Sequence, residues 1–175
     1  TGRGSITDIN FLGFGNSLKA GLKFDRSFKR GWDWDASYTI NNIERTFLSA
    51  STYYFSEVNR QRYGVMIGRD FFTPVISWAG GIAQHWQNTV YPDIVNSLGI
   101  METVRYNQQD YWAGYAFDIG YFDPPEIEQN RFNIAGRIVR TVYSQRPALD
   151  TVNIFQDNTF LLGRIGFSYR TYYQD

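Results

Sequence analysis

Residues 31–40, GWDWDASYTI, alternate between two kinds of side chain. Aromatic and apolar residues occupy the even positions from Trp32 to Ile40, and acidic and hydroxyl residues occupy the odd positions from Asp33 to Thr39. Because successive side chains of a strand point to opposite faces, this pattern predicts a strand with one apolar and one polar face. The apolar face forms the core of a soluble β protein, whereas it faces lipid in a membrane barrel. The face that meets water therefore decides the function.

The length and charge of the chain set its broad class. It has 175 residues, enough for one domain with a core of its own, and we assign residues 1–175 to a single β-barrel domain or barrel fragment. Lys plus Arg and Asp plus Glu number 17 each, so the formal net charge is zero. Without a basic stripe, we expect no nucleic-acid partner.

Aromatic residues make up 18% of the chain, roughly twice the usual share. They favour strands and membrane interfaces. The mean hydropathy is −0.39, and no run approaches the ~18 apolar residues of a membrane-spanning helix, whereas alternating strands need no such run. The chain has no Cys, which excludes disulfides and thiolate metal sites and fits an oxidising envelope.

Alternation recurs along the chain and predicts an all-β, antiparallel up-and-down meander of about eight or nine long strands. A sheet of this size must curl into a barrel, or fold into a sandwich, to protect its edges. Residues 87–109 lose the alternation and are predicted to form a long loop, with room for one short strand. A second loop is predicted at 145–153 and a turn at DPPE, 123–126. The predicted strands are 17–29, 31–40, 45–56, 61–72, 75–86, 110–121, 130–143 and 158–173.

No group of residues has the arrangement that catalysis or metal binding requires. His85, the only histidine, is predicted at a strand end without a second ligand at metal-binding spacing. GFGNSL, residues 13–18, lacks the third glycine of a nucleotide-binding loop and is predicted to be a hairpin turn. Asp33 and Asp35 share one strand face and are interpreted as a solvated or lumenal surface. We therefore expect a protein that is not an enzyme and has no catalytic, cofactor-binding or metal site.

The stretch DINFLGFGNSLKAGLKFD, residues 8–25, resembles the first hairpin of the barrel in the BamA/TamA family of outer-membrane assembly and translocation proteins. The similarity continues through SYTINNIERTFLSASTYYFSE, YGVMIGRDFFTPVISWAGGI and LLGRIGFSYRTYYQD. It spans most of the chain, and the first hairpin is its most specific part. The matching residues are Asn10, Phe11, Leu12, Gly13, Gly15 and Asn16, then Arg69, Phe71, Phe72, Trp78, Ala79 and Gly81.

This resemblance implies a location in the outer membrane of Gram-negative bacteria, with membrane lipid and a substrate polypeptide as partners. The family barrel has sixteen strands and a lid loop with an Arg-Gly-Phe motif, which residues 1–175 lack, so the resemblance is to the N-terminal half of such a barrel. Residues 4–11 would form the edge at which the family pairs with incoming strands. An isolated half-barrel would turn its apolar face inward or self-associate.

Two other functions fit the same pattern. A small soluble β-barrel that binds an apolar ligand would place the aromatic parity inside. A barrel appended to a hydrolase, as in some patatin-like proteins, would place the catalysis outside these residues.

Overall fold

The structure is a computed structural model that describes residues 2–24, 31–71, 76–95, 101–119, 128–147 and 154–171. Within these ranges the protein is all-β, and nine strands form one sheet in chain order. Each strand pairs antiparallel with the next, so the predicted meander is confirmed. The strands are β1 (Gly2–Phe11), β2 (Asn16–Phe24), β3 (Trp32–Ile43), β4 (Leu48–Ser56), β5 (Arg60–Arg69), β6 (Trp78–Val95), β7 (Met101–Asp118), β8 (Glu128–Gln145) and β9 (Asn158–Thr171).

The predicted turn in GFGNSL is confirmed as the link between β1 and β2. Leu12, Gly13 and Gly15 have positive φ angles of 55°, 77° and 71°, a backbone conformation that glycine adopts without strain. The carbonyl of Asn10 accepts the Gly13 N–H at 2.8 Å, and its side-chain oxygen accepts the Gly15 N–H at 2.8 Å. Asn10 therefore closes the turn with both its backbone and its side chain.

The prediction of a long loop at 87–109 is wrong, because most of these residues extend β6 and β7. Each of these strands has 18 residues, and their ladder continues through the pairs Gln87↔Tyr106 and Thr89↔Val104. Backbone groups pair whatever the side chains are, whereas the sequence pattern detects a strand only when one of its faces is apolar. The extension carries polar side chains on both faces, which removes the alternation and hides the strand.

Several predicted boundaries also shift. The strand predicted from 45 begins at Leu48 because residues 44–47 form a turn in which Glu44, Arg45 and Phe47 have positive φ. β6 begins at Trp78, not 75. Residues 25–30, most of the loop at 145–153 and all of DPPE lie outside the described residues.

The sheet curls towards the face on which most of the polar side chains lie. A cavity of about 840 Å³ lies on this side, and residues of six consecutive strands, β4 to β9, line it. Its lining includes one inward residue from each strand: Ser49, Met66, Ala83, Trp112, Arg137 and Arg164. We call this side the concave wall and the opposite side the convex face.

Candidate functional site

The convex face is apolar and open to the surroundings. On β6, Trp78 and Ile82 are 50% and 54% exposed, and the register places them beside Tyr115 and Tyr111 of β7, which are also exposed. The same parity continues from strand to strand across the sheet. Its other exposed large side chains are Ile6, Leu22, Trp32, Trp34, Ile40, Tyr63, Val65, Ile67, Phe117, Ile134, Ile138, Leu161, Ile165 and Phe167.

The described residues contain very little conventional core. Among them, Ile76 and Val104 are the fully buried apolar side chains larger than alanine. The accessible surface of the chain is 12778 Å², whereas a compact soluble protein of 20.4 kDa exposes about 8,800 Å². A large apolar surface without a covering layer fits a lipid or protein environment better than water.

Aromatic rings form a continuous row across four strands of the convex face. Trp34 stacks on Tyr54 at 4.5 Å between ring centroids, Tyr54 on Tyr63 at 6.3 Å, and Tyr63 on Trp86 at 5.2 Å. The register explains this row, since Tyr54, Tyr63 and Trp86 lie directly opposite one another on β4, β5 and β6. We call these four residues the upper aromatic row.

A second aromatic group lies near the other end of the convex face. Trp78 begins β6, and Tyr115 and Phe117 of β7 contact each other at 4.8 Å between centroids. Trp86 lies eight positions after Trp78, which corresponds to about 26 Å along the strand and about 20 Å along the normal of a membrane for a strand tilted by roughly 40°. Two aromatic levels therefore bound an apolar band of near-membrane height.

The concave wall carries a paired charge that no sequence motif indicates. Arg137 of β8 donates to both carboxylate oxygens of Asp110 of β7, with Nε 2.8 Å from Oδ1. Asp110 is 7% exposed, whereas half of the Arg137 side chain is exposed towards the cavity. The residues are 27 positions apart, so only the register of the two strands brings them together.

His85 lies on the concave wall in the interior of β6, so its predicted place at a strand end is wrong. The cause is the polar extension of β6, which continues the strand to Val95. The Nδ1 atom of His85 is 2.6 Å from the hydroxyl of Tyr53, and the two rings are 5.7 Å apart. This geometry gives His85 a hydrogen-bonding partner on the wall.

Asp33 and Asp35 lie on the concave parity of β3, as the lumenal interpretation requires. Lys23 of β2 is opposite Asp33, and its Nζ is 3.7 Å from Oδ2. Asp35 lies opposite Gly21, where an added Cβ would meet the carboxylate at 2.5 Å. The absence of a side chain at Gly21 leaves room for this acid against the wall.

A metal site and a membrane-spanning helix are both absent from the part of the chain that the structure describes. No three His, Cys, Asp or Glu side chains there come close enough to hold a metal ion. No helix among those residues is long and apolar enough to cross a membrane.

Among the described residues, both edges of the sheet are open. There, β1 pairs only with β2, and β9 pairs only with β8. Because each of the eight neighbouring pairs is antiparallel, β1 and β9 run in the same direction. A barrel in which every neighbouring pair is antiparallel would therefore require an odd number of additional strands between these two edges. β1 exposes ten residues of backbone at its edge, which include the predicted 4–11.

Comparison with family models, with curated proteins and with solved structures finds no match to this chain.

Proposed function

We propose that this chain forms part of an outer-membrane β-barrel that inserts or translocates polypeptides. The observation that carries the proposal is the arrangement of the two faces: on β2 to β9 the apolar parity lies on the convex face, and on β4 to β9 the opposite, more polar parity lines a cavity. A membrane barrel has this arrangement, with apolar residues towards lipid and a polar interior.

The aromatic levels support the same location. Trp and Tyr prefer the boundary between hydrocarbon and water, where the ring is in an apolar environment and its N–H or O–H remains hydrated. The upper aromatic row and the group at Trp78 lie where two such boundaries would fall. Beyond Trp86, the convex parity carries Asn88 of β6 and, directly opposite it on β7, Arg105, so this level of the sheet suits water better than lipid.

The open edge supports the assembly activity. Unpaired N–H and C=O groups along β1 can form a ladder with an incoming strand, and no side-chain chemistry is required. The soluble ligand-binding barrel receives less support, because its aromatic residues would have to line the cavity, whereas Trp34, Tyr63 and Trp78 lie on the convex face.

Reconstitution tests this function in two steps. The protein should float with lipid vesicles and resist protease, and vesicles that contain it should accelerate the folding of a second, small outer-membrane barrel. A single Cys at Ile6 of β1 should form disulfide crosslinks with a Cys in a terminal strand of that substrate. A Cys at Arg140 of β8, an interior strand with both neighbours paired, is the matched control. Vesicle insertion without acceleration or edge crosslinking would contradict the assembly activity.

A further inference from the structure

Arg69 places a cation on the apolar convex face. It is the last residue of β5 and lies opposite Gly80, which is on the same face as Trp78 and Ile82. Within the described part of the chain, its guanidinium forms no ion pair or hydrogen bond, and its Nε atom is buried without an acceptor. The neighbouring carboxylate, Asp70, lines the cavity on the other side of the sheet.

Two aromatic rings hold this guanidinium in place. Its Cζ atom is 4.4 Å from the centroid of the Trp78 ring and 5.8 Å from that of Phe47. Cations are attracted to the faces of aromatic rings, and this attraction strengthens where water is excluded. Phe47 and Trp78 are themselves 43% and 50% exposed, so the cluster lies at the surface and is accessible to a ligand.

We propose that Arg69, Phe47 and Trp78 form a binding site for the phosphate group of a membrane lipid. The planar guanidinium suits two oxygens of one phosphate, and the exposed ring of Trp78 offers an apolar surface for the first part of the acyl chain. The cluster lies at the end of the apolar band, where lipid phosphates would be found. An ion pair with lipid would neutralise a charge that has no carboxylate partner among the described residues.

This proposal rests on the proposed membrane location. The lipid that the purified protein retains tests the Arg69 site. The full chain is reconstituted with phosphatidylglycerol, exchanged into a sugar detergent and examined by native mass spectrometry. Wild type should retain phosphatidylglycerol with at least about tenfold higher affinity than Arg69→Gln, because a charge-assisted contact with two oxygens is lost. Arg164→Gln, the same change of charge on the concave wall, should bind like wild type.

Two further arms identify the ligand. Arg69→Lys keeps the charge but loses the planar group, so its affinity should lie between those of wild type and Arg69→Gln. Inorganic phosphate at millimolar concentration should not displace the lipid, and displacement would show that the site recognises free phosphate, which contradicts a lipid site.

The two proposals fail in different ways. A protein that inserts normally but retains lipid equally well as wild type and as Arg69→Gln contradicts the Arg69 site alone. Failure of wild type to float with vesicles contradicts both proposals.

Discussion

The hydroxyl of Tyr53 is 2.6 Å from Nδ1 of His85, although β4 and β6 are not neighbours in the sheet. The strand between them, β5, presents Gly64 in direct register with both residues. Without a side chain at this position, the tyrosine and histidine reach each other above the backbone of β5. This hydrogen bond joins alternate strands on the concave wall and supports the inward curl.

A methyl group at position 64 should break this contact. An added Cβ would lie 2.6 Å from Nδ1 of His85 and 2.9 Å from the Tyr53 hydroxyl, and it would lie 2.8 Å from the backbone oxygen of Gln84. Gly64→Ala should therefore lower the free energy of unfolding by about 1–3 kcal/mol. Urea unfolding of the reconstituted protein measures this change.

Gly136→Ala is the matched control, because no atom lies within 4 Å of a Cβ built there. Its effect should stay within about 0.5 kcal/mol. Equal stability of the two variants would contradict the role of Gly64.

The pair of Asp110 and Arg137 should respond asymmetrically to substitution. Arg137→Gln leaves a buried carboxylate without its cation, whereas Asp110→Asn leaves a half-exposed guanidinium that water can solvate. We expect losses of about 1–3 kcal/mol for Arg137→Gln and about 0.5–1.5 kcal/mol for Asp110→Asn. Unfolding of the two single variants and of the double variant gives the coupling free energy between Asp110 and Arg137. A larger loss for Asp110→Asn than for Arg137→Gln would contradict this account.

The contacts that Asp157 makes with Tyr143 and Arg146 should be sensitive to acid. The carboxylate of Asp157 accepts the backbone N–H of Tyr143 at 2.8 Å and a hydrogen bond from Arg146 at 2.6 Å, and these contacts hold its pKa below the usual 3.8. Because the pKa of Asp157 is lowered in the folded protein, its charged carboxylate stabilises the folded state above pH 3.8, and this contribution disappears as the pH falls through the lowered value.

Amide exchange at Tyr143, expressed relative to its intrinsic rate, measures this effect. Protection in wild type should decrease below pH 3.8 as Asp157 is protonated. In Asp157→Asn the amide oxygen can still accept the Tyr143 N–H but has no charge, so the same pH range should leave protection unchanged. An equal loss of protection in wild type and in Asp157→Asn would show that another group causes the acid sensitivity.

Adjacent residues of β6 should tolerate a charge very differently. Ile82 lies between Trp78 and Trp86 on the convex face, opposite Tyr111, and Ala83 lies on the concave parity, opposite Asp110. Ile82→Arg should lower the free energy of unfolding in lipid by about 2–4 kcal/mol, because the charge would lie near the bilayer midplane. Ala83→Arg places the same charge in a polar cavity and should cost clearly less, and equal losses in reconstituted protein would contradict the assignment of the two faces.

The sequence predicted the fold wherever one face of a strand is apolar. Residues 31–40 show this, since the apolar and polar residues that alternate in the sequence lie on opposite faces of β3 in the structure. The prediction failed at 87–109 because residues such as Asn88 and Gln108 make both faces polar while the backbone ladder continues.

The details of the candidate site depend on register, which residue patterns do not contain. Asp110 and Arg137 meet only because β7 and β8 pair as they do, and Tyr53 meets His85 only because Gly64 lies between them. The sequence did not indicate a binding site at Arg69, because the two aromatic rings that contact its guanidinium come from the turn before β4 and from the start of β6.

Site-directed spin labelling tests the central claim most directly, and the absence of Cys makes single-cysteine variants straightforward. Labels are placed one at a time from Ile134 to Ile138 of β8 and at Trp34 and Asp35 of β3 in the vesicle-inserted protein. We predict that collisions with oxygen, which concentrates in lipid, are high at 34, 134, 136 and 138, and that a water-soluble nickel reagent reaches 35, 135 and 137. The opposite phase, with the nickel reagent at 34, 134, 136 and 138 and oxygen at 35, 135 and 137, would contradict the lipid-facing assignment of the convex face.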